Sequence, residues 1–220
     1  FIQINPGRLY GADTVEVTVV PQGSGAVATA EIRKWVKNRY KKNQSSLDTA
    51  NGYVYNFFNK KQYGIVANPL KLRALVGDNL NNVYQEPSTK THSKILGYAY
   101  DGNPIYGPFG YADPGDPTSS IARLESGYTL NNSRSNGPSV SQYPLGTFID
   151  DYTWSQTQQT GKTRLDQNNG RFCVTPDYPE GTYAYFISTN SSNSPTFPFI
   201  VGKNFYSLPI SSNYDFSISQ

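Results

Sequence analysis

The chain has 220 residues, with 19 Lys and Arg against 16 Asp and Glu for a net charge of +3, and only 36% of it is hydrophobic. That length holds one sizeable domain or a domain with a smaller module; the small charge does not by itself imply nucleic acid as a partner, and no apolar run reaches the ~18 residues of a membrane span. A single cysteine, Cys173, excludes an intrachain disulfide framework, whereas 18 Tyr, 11 Phe, 19 Gly and 15 Pro predict an aromatic, β-rich core joined by many turns.

The first predicted element is a half-buried strand over Thr14–Val20, with Val15, Val17 and Val19 on one face. Residues 21–25 turn the chain, and residues 26–32 continue as small alternating residues. From 31 to 43 the spacing of Ile32, Trp35, Val36 and Tyr40 predicts an amphipathic helix of about three turns. Its basic residues Arg33, Lys34, Lys37, Arg39, Lys41 and Lys42 form the solvated face. Residues 52–58 fit either a strand or an aromatic loop. Asn68 as cap, Pro69 in the first turn, Leu70, Leu72 and Leu75, then Gly77 as the stop, predict a second, shorter helix.

Past residue 85 the pattern is that of a β domain. Residues 95–100 and 103–106 flank Asp101-Gly102, a tight-hairpin dipeptide in which both central positions take positive φ, and Pro104 is expected at an edge or bulge. Residues 112–146 form a Pro/Ser/Gly/Asn-rich excursion expected to be pinned by Tyr128, Leu130, Tyr143 and Leu145. Strand-like runs return at 147–154, 170–175, 181–189, 197–201 and 205–208. The expected fold is mainly β, an antiparallel sandwich-like domain with a small N-terminal helical region and long ordered loops. Three stretches are expected: the end of a small β module at 1–30, a helical and aromatic connection at 31–90, and the β domain at 91–220.

Residues with catalytic chemistry are sparse. Cys173 alternates with bulky residues as a buried small hydrophobe does, and His92 is the only imidazole that could activate it. Asp113 with Asp116, and Asp150 with Asp151, read as turn formers before they read as paired catalytic acids or calcium ligands. Tyr98, Tyr100, Tyr106 and Tyr111 can be drawn as a sugar-stacking platform, although alternate strand residues must also pack a core. The chain has no glycine-rich phosphate loop and no signal-peptide pattern, and with no methionine in it the sequence is expected to be a piece of a longer polypeptide assembled in the cytosol.

Four blocks recur in order: the run from His92 to Pro108, containing Asp101, Gly102, Pro104 and Tyr106; Asn169-Gly170-Arg171-Phe172; residues 175–181, Thr-Pro-Asp-Tyr-Pro-Glu-Gly; and Tyr183-Ala184-Tyr185-Phe186. Together they resemble the YHYH domain family, whose naming tetrad is degenerate here. Both of its histidine positions are changed, to Ala184 and Phe186. In a strand these positions share one face, where two histidines can ligate a metal or shuttle protons. Alanine and phenylalanine can do neither, so no catalytic residue, metal or cofactor is expected. The chain as a whole also resembles segments of large virion structural proteins of contractile-tailed phages, especially those of marine cyanobacteria. That resemblance implies a non-enzymatic structural part of a tail or baseplate, located in the virion and acting through protein–protein contacts. Its expected partners are other virion subunits and copies of itself, with neither nucleic acid nor membrane. Trp35, Tyr111, Tyr128 and Trp154 are the expected interface anchors. The alternatives are a host-glycan binding module of a tail fibre and a metal-dependent enzyme of the YHYH type.

Overall fold

A computed structural model describes residues 14–20, 29–57, 60–155 and 161–208. The turn expected at 21–25 and the end of the chain past 208 lie outside the described residues. Twelve strands assemble into small sheets: β1 (Thr14–Val20), β2 (Thr29–Trp35), β3 (Gly52–Phe57), β4 (Lys60–Ile65), β5 (Ile95–Tyr98), β6 (Pro104–Tyr106), β7 (Phe109–Tyr111), β8 (Ile121–Arg123), β9 (Tyr128–Leu130), β10 (Tyr152–Trp154), β11 (Gly170–Cys173) and β12 (Thr182–Phe186). Two short helices, α1 (Arg39–Asn43) and α2 (Leu70–Leu75), interrupt them. The fold is mainly β, as the composition predicts.

The predicted three-turn helix over 31–43 is split, with strand up to Trp35 and helix only over Arg39–Asn43. β2 pairs antiparallel with β1 from Thr14 opposite Trp35 to Val20 opposite Thr29, and helix begins only at Arg39. Seven cross-strand positions supply the backbone bonds that an isolated short helix, with its costly nucleus, cannot match. Residues 52–57 resolve as a strand that pairs with β4. α2 forms where expected, but Asn68 does not cap it. Its amide instead reaches Asn193 Oδ1 and its oxygen accepts from Arg73.

The centre of the molecule is a four-stranded sheet in the order β11-β12-β6-β5. β12 runs parallel to β6 and antiparallel to β11. A strand with parallel neighbours is normally covered on both faces, and here both are. Ile105, Tyr183 and Tyr185 join Leu96, Ile65, Phe197 and Phe199 in one apolar cluster, and Tyr106, Ala184 and Phe186 join Leu124, Leu165 and Cys173 in another. β6 is therefore central, not an edge. Pro104 is tolerated because it is the first residue of β6, before pairing with β12 starts at Ile105.

The β5–β6 turn is wider than a two-residue hairpin. Gly102 N–H donates to Ala99 O and Ala99 N–H to Asn103 O, and only Gly102 takes positive φ, at 83°. This is the pattern of a type I turn closed by a left-handed glycine, a longer connection that the same Asp-Gly dipeptide also serves. The runs expected at 197–201 and 205–208 carry no strand of their own, and 149–151 is a 3-10 turn ahead of β10.

The excursion over 112–146 is clamped by a side chain that its composition does not reveal. Arg134 forms a two-pronged ion pair with Asp151, Nε to Oδ1 at 2.8 Å and Nη2 to Oδ2 at 2.7 Å, and also donates to the carbonyls of Pro138 and Tyr143. Its guanidinium lies 4.7 Å from the Phe148 ring centroid and 5.5 Å from that of Trp35. Both charged side chains are almost wholly buried, which the paired geometry and the further bonds to Asp151 from Gly146 N and Phe148 N make tolerable.

Candidate functional site

Residues at 184 and 186 lie on one face of β12, and the opposite strand places Arg171 directly across from Ala184. His92 comes to the same place from the loop before β5. Its neighbours on both sides are pinned. The Asn79 amide donates to Thr91 O and its oxygen accepts from Thr91 N, both at 2.9 Å, while Ser93 N donates to Phe109 O and Ser93 Oγ accepts from Phe109 N. Asn79 follows Asp78, whose carboxylate holds the fully buried Arg73 at 2.7 Å and accepts from Lys94 N. α2 is thus wired to the segment that carries the only histidine.

The His92 ring is buried among aromatic rings: Tyr106 at 5.2 Å, Tyr111 at 4.9 Å and Phe186 at 6.1 Å between centroids. Its Nδ1 lies 2.9 Å from Ser93 O. A carbonyl can only accept, so Nδ1 carries the proton and Nε2 presents a lone pair, with no hydrogen-bond partner among the described residues. Burial lowers the pKa of His92 below the usual 6.5, and the Arg171 charge adds to that against the opposing Ser93 carbonyl. The imidazole is therefore neutral at pH 7.

Phe186 shares this packed face with Ala184. It is fully buried, stacks on Tyr106 at 5.5 Å with an interplanar angle of 21°, and lies beneath the Arg171 guanidinium at 5.5 Å. Arg171 donates to Tyr111 O and Lys162 O, so it holds β11, β7 and the 162 segment together. Tyr106 Oη is bonded to Thr175 Oγ1 at 2.9 Å and to Asp177 Oδ2 at 3.1 Å, both delivered by the 175–181 turn. Its pKa is raised, first by burial. Cys173 is buried, and burial pushes its thiol pKa up against the opposing pull of Arg171, so it remains a thiol at neutral pH.

The two tyrosines of the tetrad face the other way and serve as struts. Tyr183 Oη donates to the Asp166 carboxylate at 3.0 Å, and Tyr185 Oη donates to Asp101 Oδ2 at 2.6 Å while accepting from Tyr206 N. Gly170 lies under Tyr183, whose ring occupies the place that a Cβ there would take. Asn169 completes the block in a left-handed conformation, φ 64°, and donates to Phe186 O at 2.8 Å and to Ile200 O at 3.0 Å while accepting from Ser188 Oγ. Asn169, Gly170 and Arg171 thus pack around β12, while Phe172 is left exposed.

A family model described as YHYH protein matches residues 14–198. The chain belongs to the YHYH family. The match begins well ahead of the motif blocks, at β1, and takes in α1, α2 and the central sheet. Searches of curated proteins and of solved structures returned no match. In this YHYH chain the motif residues converge on one sheet: His92, Tyr106 and Phe186 meet on one face, and Asp101 bonds Tyr185 on the other. Among the described residues no three His, Cys, Asp or Glu side chains gather so as to hold a metal ion.

The other candidates separate. Asp113 is spent on Lys162 and on Gly115 N, and Asp116 on Thr118. Asp150 accepts from Val36 N while Asp151 holds Arg134. The tyrosine platform does not form, because Tyr106 is fully buried, Tyr111 packs on His92 and Tyr100 packs against Phe205. Trp35 packs edge-on against Phe148, Tyr128 against Phe197, and Trp154 lies against Gly127. The large exposed apolar side chains are elsewhere, Phe172 at 66% and Leu208 at 91% among them. Asp177 lies inside the 175–181 block, whereas Asp166 and the Arg73–Asp78 pair have no signal in the sequence beyond their charge.

Proposed function

We propose that this YHYH chain is a non-catalytic structural part of a tailed-phage virion, in the tail or baseplate, working through contacts with other virion subunits and with copies of itself. The observation that carries the reading is Phe186: a fully buried ring, stacked on Tyr106 against the one histidine, occupies the family's second histidine position. A face packed solid with rings favours scaffolding over turnover. Contact surface is supplied on the opposite side of β11, an edge strand among the described residues, which presents Phe172 to solvent.

The test is to locate the chain in purified particles by peptide mass spectrometry and cryo-EM, and to repeat it with Phe172→Glu. Stoichiometric density between subunits, reduced when a charge replaces Phe172, is the expected result. A chain that never enters particles, or that turns over a substrate in purified form, overturns the reading.

A further inference from the structure

Away from the tetrad, five chain segments line a groove of about 650 Å³, within the range of sites that hold small ligands. Its floor is aromatic. Phe197 stacks on Tyr152 at 4.1 Å and meets Tyr128 edge-on at 5.1 Å, and Tyr40 packs on Phe199 beside them. Lys41 from α1, Arg123 from β8 and Arg164 line the walls, against one lining carboxylate, Glu125.

The cations differ in how far they are already committed. Arg123 is tied to Glu86 and Thr189, and is structural. Arg164 gives one nitrogen to Ser126 O at 3.0 Å and lies 3.4 Å from the exposed Glu125, which leaves guanidinium donors over. The Lys41 ammonium is exposed and has no carboxylate partner among the described residues. The groove therefore carries more positive charge and more donors than its own walls use.

Much of the backbone of the far wall is already paired. Ser188 N, Asn190 N, Thr196 N and Phe199 N all donate within the 188–199 segment. That shortens the open main-chain edge along which an extended peptide would bind. What remains is side-chain chemistry: hydroxyls of Ser191 and Thr196, and the amide of Asn190, whose oxygen is already taken by Ser192 N and Ser194 N so that its NH₂ is left to donate. Ring faces, hydroxyls, an amide donor and surplus cations match a ligand that has an apolar ring face, many hydroxyl oxygens and a carboxylate.

We propose that this groove binds a carboxylated saccharide of the uronate type, its carboxylate received by Arg164 and Lys41 and its sugar ring laid on Tyr128 and Tyr152. The site is independent of the tetrad face and of the exposed Phe172 edge, so its failure leaves the assembly reading untouched. The test is isothermal titration calorimetry of the full chain with tetragalacturonate, with maltotetraose and tetraglutamate in parallel. Saturable binding of tetragalacturonate alone is expected, weakened at least about tenfold in Lys41→Gln and in Arg164→Gln, as for loss of a charge-assisted hydrogen bond. Lys162→Gln, outside the groove, leaves it unchanged. Among the described residues Lys41 supports no other residue through its side chain, so K41Q remains informative if R164Q melts early. Absence of saturable binding, equal binding of maltotetraose, tighter binding of tetraglutamate, or full affinity in K41Q overturns the proposal.

Discussion

Phe186 and Phe172 are the same residue type in neighbouring strands of one sheet, and the structure assigns them opposite energetic weights. Phe186→Ala removes a ring with no solvent exposure that touches Tyr106, His92 and Arg171. Truncating a buried phenylalanine costs about 3–5 kcal/mol in lost transfer free energy and residual cavity. The stack on Tyr106 and the guanidinium above place this site toward the upper end. At about 2–4 °C per kcal/mol for a chain of this size, the midpoint of thermal unfolding should fall by about 6–20 °C. Phe172→Ala, at 66% exposure, should stay within about 0.5 kcal/mol of the parent. Thermal melts followed by circular dichroism, with urea titrations giving the free energies, measure both. If Phe186→Ala costs less than about 1 kcal/mol, or if the two variants are equally destabilised, the assignment of position 186 as a packed core site is wrong.

Arg134→Gln should cost about 3–5 kcal/mol, because it leaves the Asp151 carboxylate buried and half-satisfied, and hydrogen exchange should show the amides of 131–146 losing protection; unchanged protection refutes the clamp. Acid should weaken the fold through His92, the chain's one histidine. Its folded pKa lies below the unfolded value of 6.5, so the unfolded state binds the extra proton, and the stability gained by keeping the ring neutral is complete above that value and lost as pH falls toward the folded pKa. Asp166, whose pKa burial raises from 3.8, acts in the opposite sense at lower pH. Urea midpoints at pH of about 5.5 and 7.5 should differ more in the parent than in His92→Gln, and equal differences refute the mechanism.

The sequence reached as far as local chemistry reaches. Aromatic and turn-rich composition determined a mainly β chain, the order of the motif blocks pointed to the family, and the alternation of Ala184 and Phe186 is read directly. The side-chain period of two placed them on one face without any coordinates. What residues 31–43 become was decided by pairing: Ile32, Trp35, Val36 and Tyr40 fit a helix by spacing, but the first half of the stretch finds β1 and completes its hydrogen bonds there. The same holds for Asn68, which fits a cap by position and instead serves a buried arginine and a loop more than a hundred residues away. Tertiary structure alone brought His92 against Phe186, joined Arg134 to Asp151, and gathered Lys41, Arg164 and Tyr128 around one groove. Each of these joins segments far apart in the chain, and a single sequence carries no record of which charge meets which across such a span, because the energy that selects the partner depends on burial that only the folded chain creates.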